Sequence, residues 1–170
     1  VLTPKDIDID KLFFYLDRNA LFSGQWQMRR QKSQSKQDYT NFLSIKAAPV
    51  LNYWIERIKS EDLVKPHGVY GYFPCGRVGN KLIVFDKNKK HKIGFFDLPR
   101  QKSGNRYCIS DFYMDLAEEK PIDYLPMQAV TMGSNASVYA QELYNSNSYS
   151  DYLYFHGLTV QLAEALAEYV

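Results

Sequence analysis

The sequence of 170 residues is poor in the residues that build metal and redox sites, with two cysteines and three histidines. Cys75 and Cys108 are too far apart for a zinc-ligand pair or a Cys-x-x-Cys redox motif. Both stand among apolar and aromatic residues, so we expect buried thiols in a reducing compartment. The histidines have no carboxylate or cysteine at metal-ligand spacing. No metal-binding residues are therefore predicted.

Other common signals are missing as well. No apolar run reaches the roughly 20 residues that span a bilayer, and no signal peptide is visible. There is no glycine-rich dinucleotide fingerprint, no phosphate-binding loop and no serine at a glycine elbow. The formal net charge of +2 is too small to argue for a nucleic-acid partner. We expect no membrane span, no nucleic acid and no catalytic residue within the chain.

Three segments do carry apolar side chains at helical spacing. Residues 10–25 hold two short helices, with Asp17 placed to end the first and cap the second. Residues 38–63 form a continuous stripe in which Pro49 predicts a kink or two abutting helices. Residues 158–170 form a third helix. Its apolar face comprises Leu158, Leu162, Ala165, Leu166 and Tyr169.

The middle of the chain contains short aromatic and β-branched runs, which are typical of strands. Residues 81–85 and 92–96 flank a charged turn, so we expect an antiparallel hairpin there. A short helix is predicted over residues 136–144. The basic segment 29–37 is interpreted as an exposed loop. The predicted strands are residues 69–73, 81–85, 92–96, 107–113 and 127–132.

These elements together predict an α+β fold, with a mostly antiparallel sheet flanked by helices. The length suits a single domain over residues 1–170. Residues 1–66 form its mainly helical part, and residues 67–170 form a strand-rich part that ends in a long helix. Because the chain begins with valine and its last helix has no capping signal, we expect a fragment or a processed product.

Four segments, in order, carry a recognisable pattern. An aromatic-glycine-aromatic strand leads into Phe-Pro and a glycine turn. An Arg-Gln pair precedes Asn-x-Tyr-Cys and Asp-Phe. Asp-Tyr is followed by Ala-Val-Thr-x-Gly, and a last Asp-Tyr precedes a Leu-Ala-Glu-Ala helix. The chain resembles the C-terminal S-adenosylmethionine-binding reactivation domain of cobalamin (vitamin B12)-dependent methionine synthase. The segments are GVYGYFPCGRVGNKLIVFD (68–86), LPRQKSGNRYCISDF (98–112), DYLPMQAVTMG (123–133) and DYLYFHGLTVQLAEALAEY (151–169).

This resemblance implies a methionine synthase activation-domain-like fold and a particular role. The parent methyltransferase moves a methyl group from methyltetrahydrofolate through cobalamin to homocysteine, in methionine biosynthesis. When its cobalamin is oxidised to cob(II)alamin, the domain docks over it and presents S-adenosylmethionine. A flavodoxin-like donor supplies an electron for reductive remethylation. Cobalamin would be carried by a separate module of the same enzyme, in the cytoplasm or in a plastid stroma.

The resemblance also implies site residues. Asp17 and Glu164 align with carboxylates that contact S-adenosylmethionine, whose ammonium and sulfonium charges a carboxylate complements. The other interpretations are a helix cap for Asp17 and a solvated helix face for Glu164. Tyr70, Gly71 and Tyr72 are candidates for lining the ligand cleft, or for packing in the β-core.

Two departures from the family pattern leave a second hypothesis open. The family's Arg-x-x-x-Gly-Tyr motif does not occur before Val170, and Val160 stands where relatives carry an acid that holds the displaced cobalamin-ligating histidine. The chain could instead be a non-catalytic, truncated descendant that serves as a structural or accessory subunit of a larger assembly. Aromatic residues at Tyr149, Tyr152 and Tyr154 would suit such an interface. A single-stranded nucleic-acid binder is a third, weaker hypothesis.

Overall fold

A computed structural model describes residues 1–116 and 123–170. Its four strands form one antiparallel sheet in the order β3-β2-β1-β4, which confirms the predicted α+β fold. Within these ranges no helix is both long and apolar enough to cross a bilayer. The helices are α1 Ile9–Tyr15, α2 Lys36–Phe42, α3 Ala48–Ser60, α4 Ser134–Asn145 and α5 Tyr149–Tyr169. The strands are β1 His67–Val78, β2 Lys81–Phe85, β3 Lys92–Asp97 and β4 Asp123–Thr131.

Pro49 divides the helical stripe over residues 38–63. A π-helical segment, Leu43–Ala47, follows α2, and α3 then begins with Pro49 in its first turn. Proline has no N–H to donate, and its ring crowds the carbonyl of Ile45, four residues earlier. The wider π turn relieves that crowding, because it does not require the normal i to i−4 bond. The predicted interruption at Pro49 is confirmed.

The hairpin predicted from the charged turn is also confirmed. β2 and β3 pair antiparallel, and β1 pairs antiparallel with the other edge of β2, where Cys75 stands opposite Val84. Both cysteines are buried and free, as predicted. Burial raises the pKa of the Cys75 thiol to about 11. This thiol therefore stays protonated and unreactive at neutral pH.

The strand predicted over residues 107–113 is wrong, because Ile109–Phe112 form a 3-10 helix. The Asp111 carboxylate holds this turn. Its Oδ2 atom accepts the backbone N–H of Cys108 at 2.9 Å. The Arg100 guanidinium donates to both carboxylate oxygens, each at 2.6 Å. Paired charge-assisted bonds of this kind outweigh the β-propensity of the aromatic residues.

We expect Asp111→Asn to lower the melting temperature at neutral pH, by an amount that shrinks as the pH falls below about 4. Hydrogen bonds from Arg100 and from the Cys108 backbone hold the pKa of Asp111 well below its usual range. A carboxyl with a lowered folded-state pKa stabilises the fold above its unfolded pKa, and this stabilisation is lost as the pH falls toward the folded value.

Thermal melts of the wild type and Asp111→Asn at about pH 7 and about pH 3 measure this difference. Asp97→Asn is the control, because its exposed carboxylate lies 3.8 Å from the Lys81 Nζ atom in a weak surface pair. A difference of the same size at both pH values would contradict the role given to Asp111.

The chain forms two compact units. The first contains Val1–Val69 and Ala129–Val170, and the second is Tyr70–Gln128. β1 and β4 each continue from one unit into the other, since their ranges include both sides of the two boundaries. Two compact units can still unfold as one cooperative structure. The single domain over residues 1–170 therefore stays a prediction.

α5 is the central helix of the first unit and begins at Tyr149, earlier than the apolar pattern predicted. Close approach is possible at Gly157, where an added Cβ atom would lie 2.8 Å from the Gln25 Cβ atom and 3.1 Å from Trp26 Cδ1. The Trp26 indole N–H donates to the backbone carbonyl of Tyr154 at 3.0 Å. The predicted core face is confirmed by the buried residues Leu158, Leu162, Ala165 and Leu166.

Candidate functional site

Asp17 lies just after α1, where the chain turns into a second helical segment. The extended backbone of Leu16 ends α1. The Asp17 Oδ1 atom accepts the backbone N–H groups of Asn19 at 2.8 Å and Ala20 at 2.9 Å. The predicted helix cap is therefore confirmed. Within residues 1–116 and 123–170, no hydrogen bond or ion pair engages the second oxygen, Oδ2.

Glu164 lies on the outer face of α5, and its side chain is exposed. The next residues of the helix, Ala165 and Leu166, are buried in the core. Among the residues that the structure describes, no base forms an ion pair with Glu164 or with Glu168, one turn later. These carboxylates give the end of α5 a negative charge that no described residue compensates.

The segment that contains Asp17 runs antiparallel to α5. At one end the rings of Tyr15 and Tyr169 are 6.1 Å apart. At the other end the rings of Trp26 and Tyr154 are 5.0 Å apart. Asp17 follows Tyr15 by two residues, so it lies level with the last turns of α5. The two carboxylates predicted to bind the ligand thus belong to one pair of segments in the first unit.

The other predicted site residues belong to the second unit. Tyr70 and Tyr72 are 50% and 69% exposed on β1. The alternative prediction, that these rings pack in the β-core, is therefore wrong. Gly71 lies between them and is half-buried. A role for these residues in lining a ligand cleft stays a prediction.

A cleft of about 250 Å³ lies between the end of β4, α4 and α5 in the first unit. The polar residues Thr131, Ser137 and His156 are among those that line it. Val160 also lines this cleft, so the position at which the resemblance implies an acid here presents an apolar side chain. Across the described part of the chain, no cluster of three or more histidine, cysteine or acidic residues has the arrangement of a metal site.

The exposed aromatic residues at the end of α1 were not predicted as site residues. Phe14 is 85% exposed and Tyr15 is 41% exposed, although both lie beside Asp17 in the chain. A signal was available in the run Leu12–Leu16, which reads LFFYL. Such a run is apolar all around a short helix, so its members cannot all face one core.

Comparison with known proteins identifies the family. Residues 8–170 match the family described as vitamin B12 dependent methionine synthase, activation domain. Methionine synthase of Mycobacterium tuberculosis (strain ATCC 25618 / H37Rv) is 41% identical over 160 residues, which are 91% of this chain and 13% of that protein. Methionine synthase of Mycobacterium leprae is 40% identical over 164 residues, again 91% and 13%. The chain therefore spans about 13% of the length of these relatives.

The fold is shared with a solved structure described as the MetH reactivation domain bound to AdoHcy. The TM-score is 0.77 at 24% identity, over 99% of this chain and 52% of that chain. This structure confirms the predicted activation-domain-like fold, and the family match covers almost all of the sequence. The chain therefore belongs to the activation-domain family of vitamin B12-dependent methionine synthases.

Proposed function

We propose that the chain contributes to binding S-adenosylmethionine as part of a methionine synthase activation module. The observation that carries this proposal is the Asp17 carboxylate, which uses Oδ1 to cap a helix and leaves Oδ2 without a partner in the described residues. Glu164 adds negative charge on the neighbouring helix. A ligand with ammonium and sulfonium groups suits this arrangement. The AdoHcy in the related solved structure supports the same ligand class.

The module would support reductive remethylation of cob(II)alamin. One electron from a flavodoxin-like donor and the sulfonium methyl group of S-adenosylmethionine convert cob(II)alamin into methylcobalamin, and S-adenosylhomocysteine is left. The cobalamin would be held by another module of the same enzyme. Residues of this chain bind and orient the methyl donor, and they take no covalent part in the transfer. The reaction would take place in the cytoplasm.

Asp17→Asn is the variant that separates ligand binding from helix capping. Asparagine caps helices about as well as aspartate, so we expect the melting temperature to stay nearly unchanged. Loss of the negative charge removes an interaction of about 1.5–3 kcal/mol with a charged group. We therefore expect S-adenosylmethionine to bind about 10- to 150-fold more weakly, as measured by calorimetry on the natural full-length polypeptide.

Asp8→Asn is the matched control. Asp8 also caps a helix, since its side chain accepts the backbone N–H of Asp10 at 3.0 Å. Its charge lies at the far end of α1, so we expect unchanged ligand affinity. Equal affinities of the wild type and Asp17→Asn would show that Asp17 is only a cap.

A second candidate function, that of a non-catalytic structural or accessory subunit, is favoured by one observation. Val160 gives the cleft between β4, α4 and α5 an apolar wall where the resemblance implies an acid. On this hypothesis the wild-type polypeptide would not bind S-adenosylmethionine at all. The same calorimetry therefore distinguishes the two candidates.

A further inference from the structure

Three aromatic side chains form a connected, partly open cluster at the end of α1 and α5. The Phe14 and Tyr15 rings meet edge to face, with centroids 5.6 Å apart and planes at 89°. Tyr15 in turn contacts Tyr169 at the end of α5, at 6.1 Å and 69°. Phe14 is 85% exposed to water. It therefore contributes little of the stabilisation that burial of a phenyl ring provides. We call these three residues the aromatic cluster.

Two exposed carboxylates, those of Asp17 and Glu168, are close to the aromatic cluster in the sequence. Tyr15 and Asp17 stand on either side of the buried Leu16 in the chain, and both are exposed. Glu168 directly precedes Tyr169 and is exposed on the same helix end. Ring faces with negative charge at their border attract a soft, weakly hydrated cation.

Phe13 provides an internal comparison. The Lys59 ammonium lies over its ring at 5.7 Å and pairs with Asp10. The ring of Phe13 therefore already contacts a cation of the protein. Over the rings of Phe14, Tyr15 and Tyr169, the described residues place no lysine or arginine. The aromatic cluster is therefore complementary to a cation that the described residues do not supply.

We propose that the aromatic cluster receives the sulfonium group of S-adenosylmethionine and makes the site prefer it over S-adenosylhomocysteine. This inference rests on the proposed function and adds a basis for selectivity to it. The two molecules differ by a methyl group and one positive charge at sulfur. A ring face and a nearby carboxylate stabilise the sulfonium, whereas the neutral thioether gains little from either.

The preference has a direct consequence for turnover. During methyl transfer the S–CH3 bond breaks, its electron pair remains on sulfur, and the methyl group passes to cobalamin. The charge at sulfur disappears in this step. The product therefore loses the attraction of its sulfur to the aromatic cluster and to the neighbouring carboxylate, while its ammonium group is unchanged, and this loss favours its release.

The test compares the affinities of both ligands for Phe14→Leu in the natural full-length polypeptide. A cation–π contact at a partly exposed site changes affinity by about 3- to 30-fold. We expect S-adenosylmethionine to bind more weakly by that factor and S-adenosylhomocysteine to change by less than about 2-fold. Phe14→Trp keeps an aromatic face and should retain the preference. Phe112→Leu, whose ring is 75% exposed in the second unit, is the control.

Each outcome separates the two claims. Equal weakening of both ligands by Phe14→Leu, or no weakening of either, overturns the sulfonium subsite. The proposed function then still stands if Asp17→Asn weakens S-adenosylmethionine. Failure of the wild type to bind S-adenosylmethionine overturns both. Melting temperatures of the Phe14 variants should match the wild type, because this ring contributes little to the core.

Discussion

Replacing Trp54 with alanine is expected to lower the free energy of unfolding by about 3–5 kcal/mol. Trp54 is fully buried on α3. Its ring lies 5.3 Å from that of Phe155 on α5 and 6.4 Å from that of Tyr139 on α4. The Arg57 guanidinium lies 5.2 Å from the same ring. Truncation would leave a cavity at the point where three helices meet, and the surrounding aromatic residues are too rigid to fill it.

Trp54→Phe should cost less than half as much. The indole Nε1 atom has no hydrogen-bond acceptor within the described residues, so phenylalanine removes an unpaired donor and keeps most of the packing. Urea unfolding followed by the fluorescence of Trp26 measures both variants. Tyr53→Ala, on the exposed side of α3, is the control. Equal losses for Trp54→Ala and Trp54→Phe would show that Nε1 has a strong partner in solution.

Gly157→Val is expected to destabilise the protein by about 2–3 kcal/mol. Any Cβ atom at this position would come within 2.8 Å of Gln25 Cβ, close to the backbone, and within 3.1 Å of the buried Trp26 ring. Neither neighbour is the free end of a flexible side chain. Replacing a glycine inside a helix normally raises the free energy of unfolding by up to about 1 kcal/mol, because other residues have a higher helix propensity. Overpacking outweighs this gain at Gly157, so we expect a net loss of stability.

Gly24 offers the matched control for Gly157. It lies in the segment that packs against α5, but a Cβ atom there would meet nothing within 4 Å. Gly24→Val should change the free energy of unfolding by less than about 0.5 kcal/mol. Denaturant melts of both variants test the comparison. If Gly157→Val were as stable as Gly24→Val, the close approach of Trp26 to α5 would be wrong.

Local patterns in the sequence predicted most of the elements. The stripe around Trp54, the interruption at Pro49 and the hairpin over residues 81–96 all depend on near neighbours, and all are confirmed. The strand over residues 107–113 is wrong because Asp111 binds Arg100, a partner that local propensity does not include. Long-range pairs of this kind become visible only when the fold brings them together.

The candidate site was predictable only in part. Resemblance provided Asp17 and Glu164, but the pattern alone could not show that Asp17 has one oxygen occupied by capping and the other unpaired. The exposure of Phe14 could not be predicted either, because a run of apolar residues does not indicate which of them are buried in the core. The ligand role of both carboxylates stays a prediction until binding is measured.

The division of the chain into units has a consequence for folding during synthesis. The second unit is continuous, so a ribosome completes it as soon as Gln128 has emerged. The first unit is made in two parts, and the apolar faces of α1 and α3 must wait for α5, which follows both in the chain. During that interval Trp54 lacks the ring of Phe155, and α1 lacks the helix against which it packs. The nascent chain is therefore expected to bind chaperones through α1 and α3, and to release them when α5 has emerged from the ribosome.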